Sequence, residues 1–166
     1  MLNADDQTIP GQEIGKVDML RLIAEQARER YRTLVVHGPP LSGKSDFARR
    51  LAACIPNGYY LDLLAHFVDH PELAGQVDVF DAATLRDLAV AYARDHEAAC
   101  LIVDDLDFLV YAWNGQLTEF QTVVRKLSST QAQVVIIFVM QTQPALDSWE
   151  ILNNARNRRA LRLEEI

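Results

Sequence analysis

The sequence predicts an α/β protein: a three-layer α/β/α sandwich built on a parallel five-stranded sheet. Three observations predict it. Five short apolar runs alternate with segments of helical periodicity along the chain. The runs are largely continuous rather than alternating, as expected of strands covered on both faces. At 166 residues with 49% hydrophobic content, the chain can bury one sizeable core and is too short for two ordinary domains.

Residues 1–12 are polar, carry Pro10 and Gly11 and show no apolar period, so they read as a flexible N-terminal arm before a single domain spanning 13–166. From Val17 to Arg30, Met19, Leu20, Leu22, Ile23 and Ala27 recur at helical spacing. Thr33 to His37 is a β-branched first strand, and Asp46 to Cys54 returns to a helical pattern through Phe47, Ala48, Leu51 and Ala52. Pro56-Asn-Gly58 signals a turn, Tyr59 to Leu63 a second strand, and Ala82 to Asp95 a helix capped by Asp81. Cys100 to Val103 is a third strand, Leu117 to Leu127 a helix, Val134 to Met140 a fourth strand, Trp149 to Asn157 a helix and Ala160 to Leu163 a short fifth strand. The stretch from Ala65 to Val79 has no firm assignment and reads as a loop that could serve as an interaction surface. Right-handed crossovers between the parallel strands place helices on both faces.

The net charge of −7 and the pI near 5.0 repel a phosphate backbone over most of the surface, so non-specific nucleic-acid binding is not the default. Cys54 and Cys100 lie far apart in apolar stretches expected to be buried, which fits a reducing cytoplasm. The longest uninterrupted apolar run, Val134 to Met140, is seven residues, too short to cross a membrane.

Gly38-Pro39-Pro40-Leu41-Ser42-Gly43-Lys44-Ser45 matches G-x-x-x-x-G-K-[ST] between an expected strand and an expected helix. Glycines at its two ends let the backbone curl so that successive N–H groups point at phosphate oxygens, and the following helix adds its positive end. Lys44 is placed to reach β- and γ-phosphates. The Ser45 hydroxyl is suited to magnesium, which takes oxygen ligands. The expected cofactors are ATP and Mg2+. Leu101-Ile-Val-Asp104-Asp105 is an apolar strand ending in two carboxylates, with Asp104 as the expected support of the metal.

These residues together resemble the P-loop NTPases of the AAA+ and STAND type, whose sheet has the order 5-1-4-3-2. In that resemblance Ile14-Gly15-Lys16 looks like the N-linker near the adenine, Asp105 is the candidate base, and Gln141 or Thr142 takes the place of the first sensor. The segment Asn153 to Arg159 before the last strand is similar in position to an arginine finger, with Arg158 or Arg159 as the candidate. Asp105 stands where AAA+ ATPases usually have Glu. Asp pairs are common in STAND-type proteins, and slow hydrolysis is expected. No helical lid or second sensor arginine follows the fifth strand. A weaker resemblance, in size, the Gly-Pro-Pro loop and the element order after the acid pair, is to the small P-loop protein of bacteriophage-exclusion (BREX) defence systems.

Arg156, Arg158, Arg159 and Arg162 form the only dense basic cluster. They would serve a neighbouring subunit's γ-phosphate, contact nucleic acid, or pair with the chain's own carboxylates. His66 and His70 lack the glutamate of H-E-x-x-H, and Pro71 ends any helix there, which argues against zinc. His37 either lines the phosphate loop or packs as a hydrogen-bonded strand-end residue. Trp113-Asn-Gly115 offers either a partner contact or core packing. The expected function is a minimal ATPase reporting nucleotide state to protein partners, in a phage-defence or other DNA-processing assembly. Alternatives are a small-molecule or nucleotide kinase with Asp62 as base, and a non-hydrolysing ATP-binding module.

Overall fold

The structure, a computed structural model, describes residues 17–127 and 132–166. The arm at 1–12 and the Ile14-Gly15-Lys16 element lie outside the described residues. Five strands, β1 (Thr33–Gly38), β2 (Gly58–Asp62), β3 (Cys100–Asp104), β4 (Val135–Gln141) and β5 (Ala160–Arg162), form one sheet in the order β2-β3-β4-β1-β5, every pair parallel. Counted from the β5 edge, the order is 5-1-4-3-2.

Strand residues alternate between two cores because successive side chains point to opposite faces. On one face Leu34, Val36, Ile102, Ile137 and Val139 pack with Met19, Leu22 and Ile23 of α1 (Met19–Gln26) and Ala48, Leu51 and Ala52 of α2 (Lys44–Cys54). On the other, Val35, Leu101, Val103, Phe138 and Met140 meet α3 (Leu63–Asp69), α5 (Ala82–Asp95), α6 (Asp107–Ala112) and α7 (Thr118–Lys126). A one-turn α4 (Pro71–Ala74) follows α3. The sheet is therefore covered on both faces, the reason its strands read as apolar runs.

Helix starts follow local chemistry. Asp18, Asp62 and Asp81 cap α1, α3 and α5 by accepting backbone N–H bonds from Arg21, Ala65 and Thr84 at 3.2, 2.9 and 2.8 Å. The helix expected from Val17 to Arg30 is shorter, ending at Gln26, whose side-chain amide donates to the Tyr31 carbonyl.

Three expectations are corrected. The helix expected over Trp149 to Asn157 does not form. Leu152 bridges Arg158 in antiparallel fashion, Asn153 N–H donates to Asn157 O at 2.9 Å, and Asn157 N–H donates to Asn153 Oδ1 at 2.9 Å. Asn side chains that bond nearby backbone groups compete with helical hydrogen bonding, and here they close a tight turn. The stretch from Ala65 to Val79, expected as a loop, begins in α3, where Leu63 and Phe67 sit one turn apart and bury against the core. Cys54, expected to be buried, is exposed at the end of α2, whereas Cys100 is buried in β3.

Candidate functional site

The register of the sheet brings the chemistry-bearing residues to one edge. Gly38 at the end of β1 lies opposite Gln141 at the end of β4, and Asp62 at the end of β2 lies opposite Asp104 at the end of β3. Open parallel sheets present ligands beyond their strands' carboxyl ends.

At that edge the Gly38–Ser45 loop leaves β1 and enters α2 directly. Gly43, with φ +84°, occupies the left-handed region that a side chain would strain, and turns the chain into the helix. A Cβ at Gly38 would stand 2.8 Å from Ser42 Oγ and 3.3 Å from Leu163 Cβ, so a side chain there would displace the Ser42 hydroxyl and press on Leu163. Lys44 Nζ folds back to donate to Pro39 O at 2.8 Å, and Ser42 Oγ is buried with no hydrogen-bond partner. Pro39, Pro40 and Leu41 are exposed; Leu41 adopts φ +59° with its side chain fully in solvent. Lys44 opens α2 and Ser45 follows it in the first turn. An ammonium, backbone donors at a helix start and an unpartnered hydroxyl are the donor set that a polyphosphate requires.

Asp104 is 2% exposed, and both its carboxylate oxygens are engaged: Oδ2 accepts from Tyr60 Oη at 2.9 Å and Oδ1 accepts from Asp105 N–H at 2.8 Å. A buried carboxylate held by two donors, with lone-pair directions left on each oxygen, could support a magnesium ion that keeps its waters. Asp105 is half-buried with φ +56°, an uncommon conformation for a residue with a Cβ, which Asp tolerates better than most. Burial raises its pKa, and the negative charges of Asp104, Asp62 and Asp107 raise it further. Asp62 spends one oxygen capping α3.

Sequence reasoning missed Asp107, although the spacing Asp104-Asp105-Leu106-Asp107 contained it. It opens α6, a helix not expected there, and its Oδ1 accepts Gln141 N–H at 2.9 Å. Thr142 N–H donates to Gly38 O at 3.0 Å. The end of β4 is thus tied to the acid turn on one side and to the Gly38–Ser45 loop on the other. Burial raises the pKa of Asp107 despite the Gln141 bond and the nearby Lys44 charge. The folded protein then binds this proton more tightly than the unfolded chain, and stability falls as pH rises through the window between the two pKa values. Asp107→Asn keeps an oxygen acceptor for Gln141 N–H and removes the charge. Its melting temperature should exceed the native value at pH 7, with the difference closing in acid; thermal denaturation across pH checks this.

His37 is fully buried, with Nδ1 3.1 Å from Thr142 Oγ1 and Nε2 without a partner. Burial lowers its pKa. It packs at the strand end behind the loop. The His66 and His70 rings lie 4.2 Å apart between centroids, tilted by 33°, and His70 Nδ1 lies 2.8 Å from His66 O. Trp113 packs: its Nε1 donates to Phe80 O at 2.7 Å, while Tyr111 stands exposed.

The arginine cluster divides. Arg159 is 3% exposed, and its guanidinium donates to Thr33 O at 2.9 Å and Val124 O at 2.6 Å. Burial brings its pKa down to about 10, so it stays charged at neutrality. This side chain is spent on the core and does not project toward a neighbouring subunit, contrary to its expected candidacy as a finger. Arg158 is exposed and pairs with Glu165 at 3.3 Å; Arg162 pairs with Asp147 at 2.6 Å and Glu164 at 3.4 Å. Arg156, exposed with φ +63°, makes no ion pair among the described residues.

An open cavity of about 730 Å³ lies between α1 and the C-terminal turn, lined in part by Val17, Arg21, Leu22, Arg158, Leu161 and Glu165. Val17 N–H donates to Glu165 O at 2.7 Å, and the same turn places Leu163 against Gly38, so the cavity neighbours the loop.

Fold and site together define an α/β protein with a five-stranded all-parallel sheet whose polar residues converge at the strands' carboxyl ends. No protein-family model matches the chain, and no curated protein matches it. Among the described residues no helix is long and apolar enough to cross a membrane.

Proposed function

We propose that the chain binds ATP with magnesium in the Gly38–Ser45 loop, hydrolyses it slowly by water attack and reports nucleotide state to protein partners. One observation carries this reading. The G-x-x-x-x-G-K-[ST] loop lies between β1 and α2, with Lys44 Nζ folded back onto Pro39 O, on the same sheet edge as the buried carboxylate of Asp104.

In this reading Lys44 exchanges Pro39 O for phosphate oxygens, and backbone donors from Leu41 to Ser45 hold the β-phosphate. Ser45 and Asp104 would hold the metal, which when bound would supply charge neutralisation to the phosphates. Asp105 accepts the proton of the attacking water, its raised pKa making it a better base than an exposed aspartate. Gln141, fixed through its backbone by Asp107, orients that water or touches the γ-phosphate. The cavity beside Val17 supports placing the adenine on the α1 side.

A guanidinium supplied to a neighbouring copy's γ-phosphate comes from the exposed Arg158 or Arg156 rather than from Arg159. The resemblance to the BREX protein supports a place in a phage-defence or other DNA-processing assembly. ATP turnover across a protein concentration series tests this account. Specific activity should rise with concentration, and mixing Arg158→Ala with Lys44→Ala should restore part of what each lacks. Nucleotide binding with turnover at background at every concentration would remove hydrolysis from the proposal. ADP formation that depends on an added hydroxyl acceptor would instead favour a kinase using Asp62.

A further inference from the structure

The side chain of Tyr60 connects two elements that the nucleotide reading needs held together. It projects from β2, and its hydroxyl donates to Asp104 Oδ2 at 2.9 Å. The Arg49 guanidinium lies 5.1 Å from its ring centroid. Arg49 is on α2 four residues after Ser45, hence on the same helix face one turn further on. The ring therefore sits between the helix that presents Ser45 and the strand that presents Asp104. Neither contact is needed to build the sheet: β2 pairs with β3 through its backbone, from Gly58↔Cys100 to Asp62↔Asp104.

We propose that Tyr60 is a positioning residue for the metal carboxylate, fixing the rotation of Asp104 and its distance from Ser45; the proposal rests on the ATP–magnesium reading above. A carboxylate has four lone-pair directions over two oxygens. Tyr60 and Asp105 N–H take one on each oxygen of Asp104. The two bonds clamp the carboxylate plane and leave the remaining directions for a metal or its water. Outer partners of metal ligands set metal affinity in this way, and their loss typically weakens metal binding about 10–100-fold. Arg49 stacked on the ring holds the phenol in place and ties its position to α2.

Tyr60→Phe keeps the ring, the Arg49 contact and the packing, and deletes the donor. The test is a magnesium chloride titration of fluorescent ATP analogue binding, with thermal midpoints recorded on the same samples. The native protein, Tyr60→Phe, Asp104→Asn and the double variant are compared. The expected result is a rise of about tenfold or more in the magnesium concentration for half-maximal binding in Tyr60→Phe. Analogue affinity in excess EDTA should stay near native. In the Asp104→Asn background, Tyr60→Phe should add little, because it acts through that carboxylate. Arg49→Gln, at an exposed position that does not threaten folding, should shift magnesium dependence in the same direction by less. An unchanged magnesium requirement in Tyr60→Phe, or an equal shift in the Asp104→Asn background, would overturn the proposal and leave nucleotide binding standing. Absence of analogue binding by the native protein at any magnesium concentration would overturn both together.

Discussion

Lys44→Ala should lower ATP affinity by about two to three orders of magnitude and take turnover to background while leaving the fold intact. Two or more charge-assisted bonds to phosphate, at roughly 1.5–3 kcal/mol each, account for a loss of about 3–4 kcal/mol. The folded protein asks little of this side chain: it is half-exposed, and its one hydrogen bond is to Pro39 O at the lip of the loop. Calorimetric titration of ATP into native and variant protein, beside their melting curves, separates the two effects. A variant that lost affinity and melted much lower would show that Lys44 is structural.

Arg159→Ala should produce the largest loss of stability among the arginine variants. The guanidinium is buried, and it bridges a carbonyl at the start of β1 to one in α7, Thr33 O and Val124 O. Truncation leaves both carbonyls without that donor and opens a void, a loss of about 3 kcal/mol or more. For a chain of this size that lowers the melting temperature by roughly 6–12 °C. Arg159→Lys should recover only part, since an ammonium lacks the planar fork that spans two acceptors. Arg158→Ala loses only an exposed pair with Glu165 and should melt within about 1 kcal/mol of native. Thermal denaturation of the three variants would rank them, and an Arg159→Ala protein as stable as Arg158→Ala would contradict the buried placement.

Much of the fold was legible because its signals are local. Five apolar runs mark five strands, and Asp81 marks the start of α5. The all-parallel sheet follows from strands buried on both faces with helices between them. The strand–loop–helix context of Gly38–Ser45 was legible from an apolar run, two glycines and a helical period, and Gly43 takes the left-handed conformation at the turn into α2.

What failed depended on competition or on distant contacts. The helix expected over Trp149 to Asn157 lost to side-chain bonds from Asn153, which close a turn instead. Arg159 looked like its neighbours in sequence, and only the meeting of β1, α7 and the start of β5 shows that it is buried. The roles of Tyr60 and Asp107 arise from tertiary neighbours: Tyr60 lies 44 residues from Asp104, and Asp107 lies 34 residues from Gln141. No period or motif encodes such pairings.

The central claim is that the Gly38–Ser45 loop is the nucleotide site, and backbone amide NMR during titration with ATP and magnesium tests it most directly. The account predicts large, saturable shifts for Gly38, Leu41 to Ser45 and Asp104 to Asp107, with a smaller set along α1 beside the cavity, all lost in Lys44→Ala. Shifts confined to other surfaces, or a loop that stays unperturbed at saturating nucleotide, would contradict it.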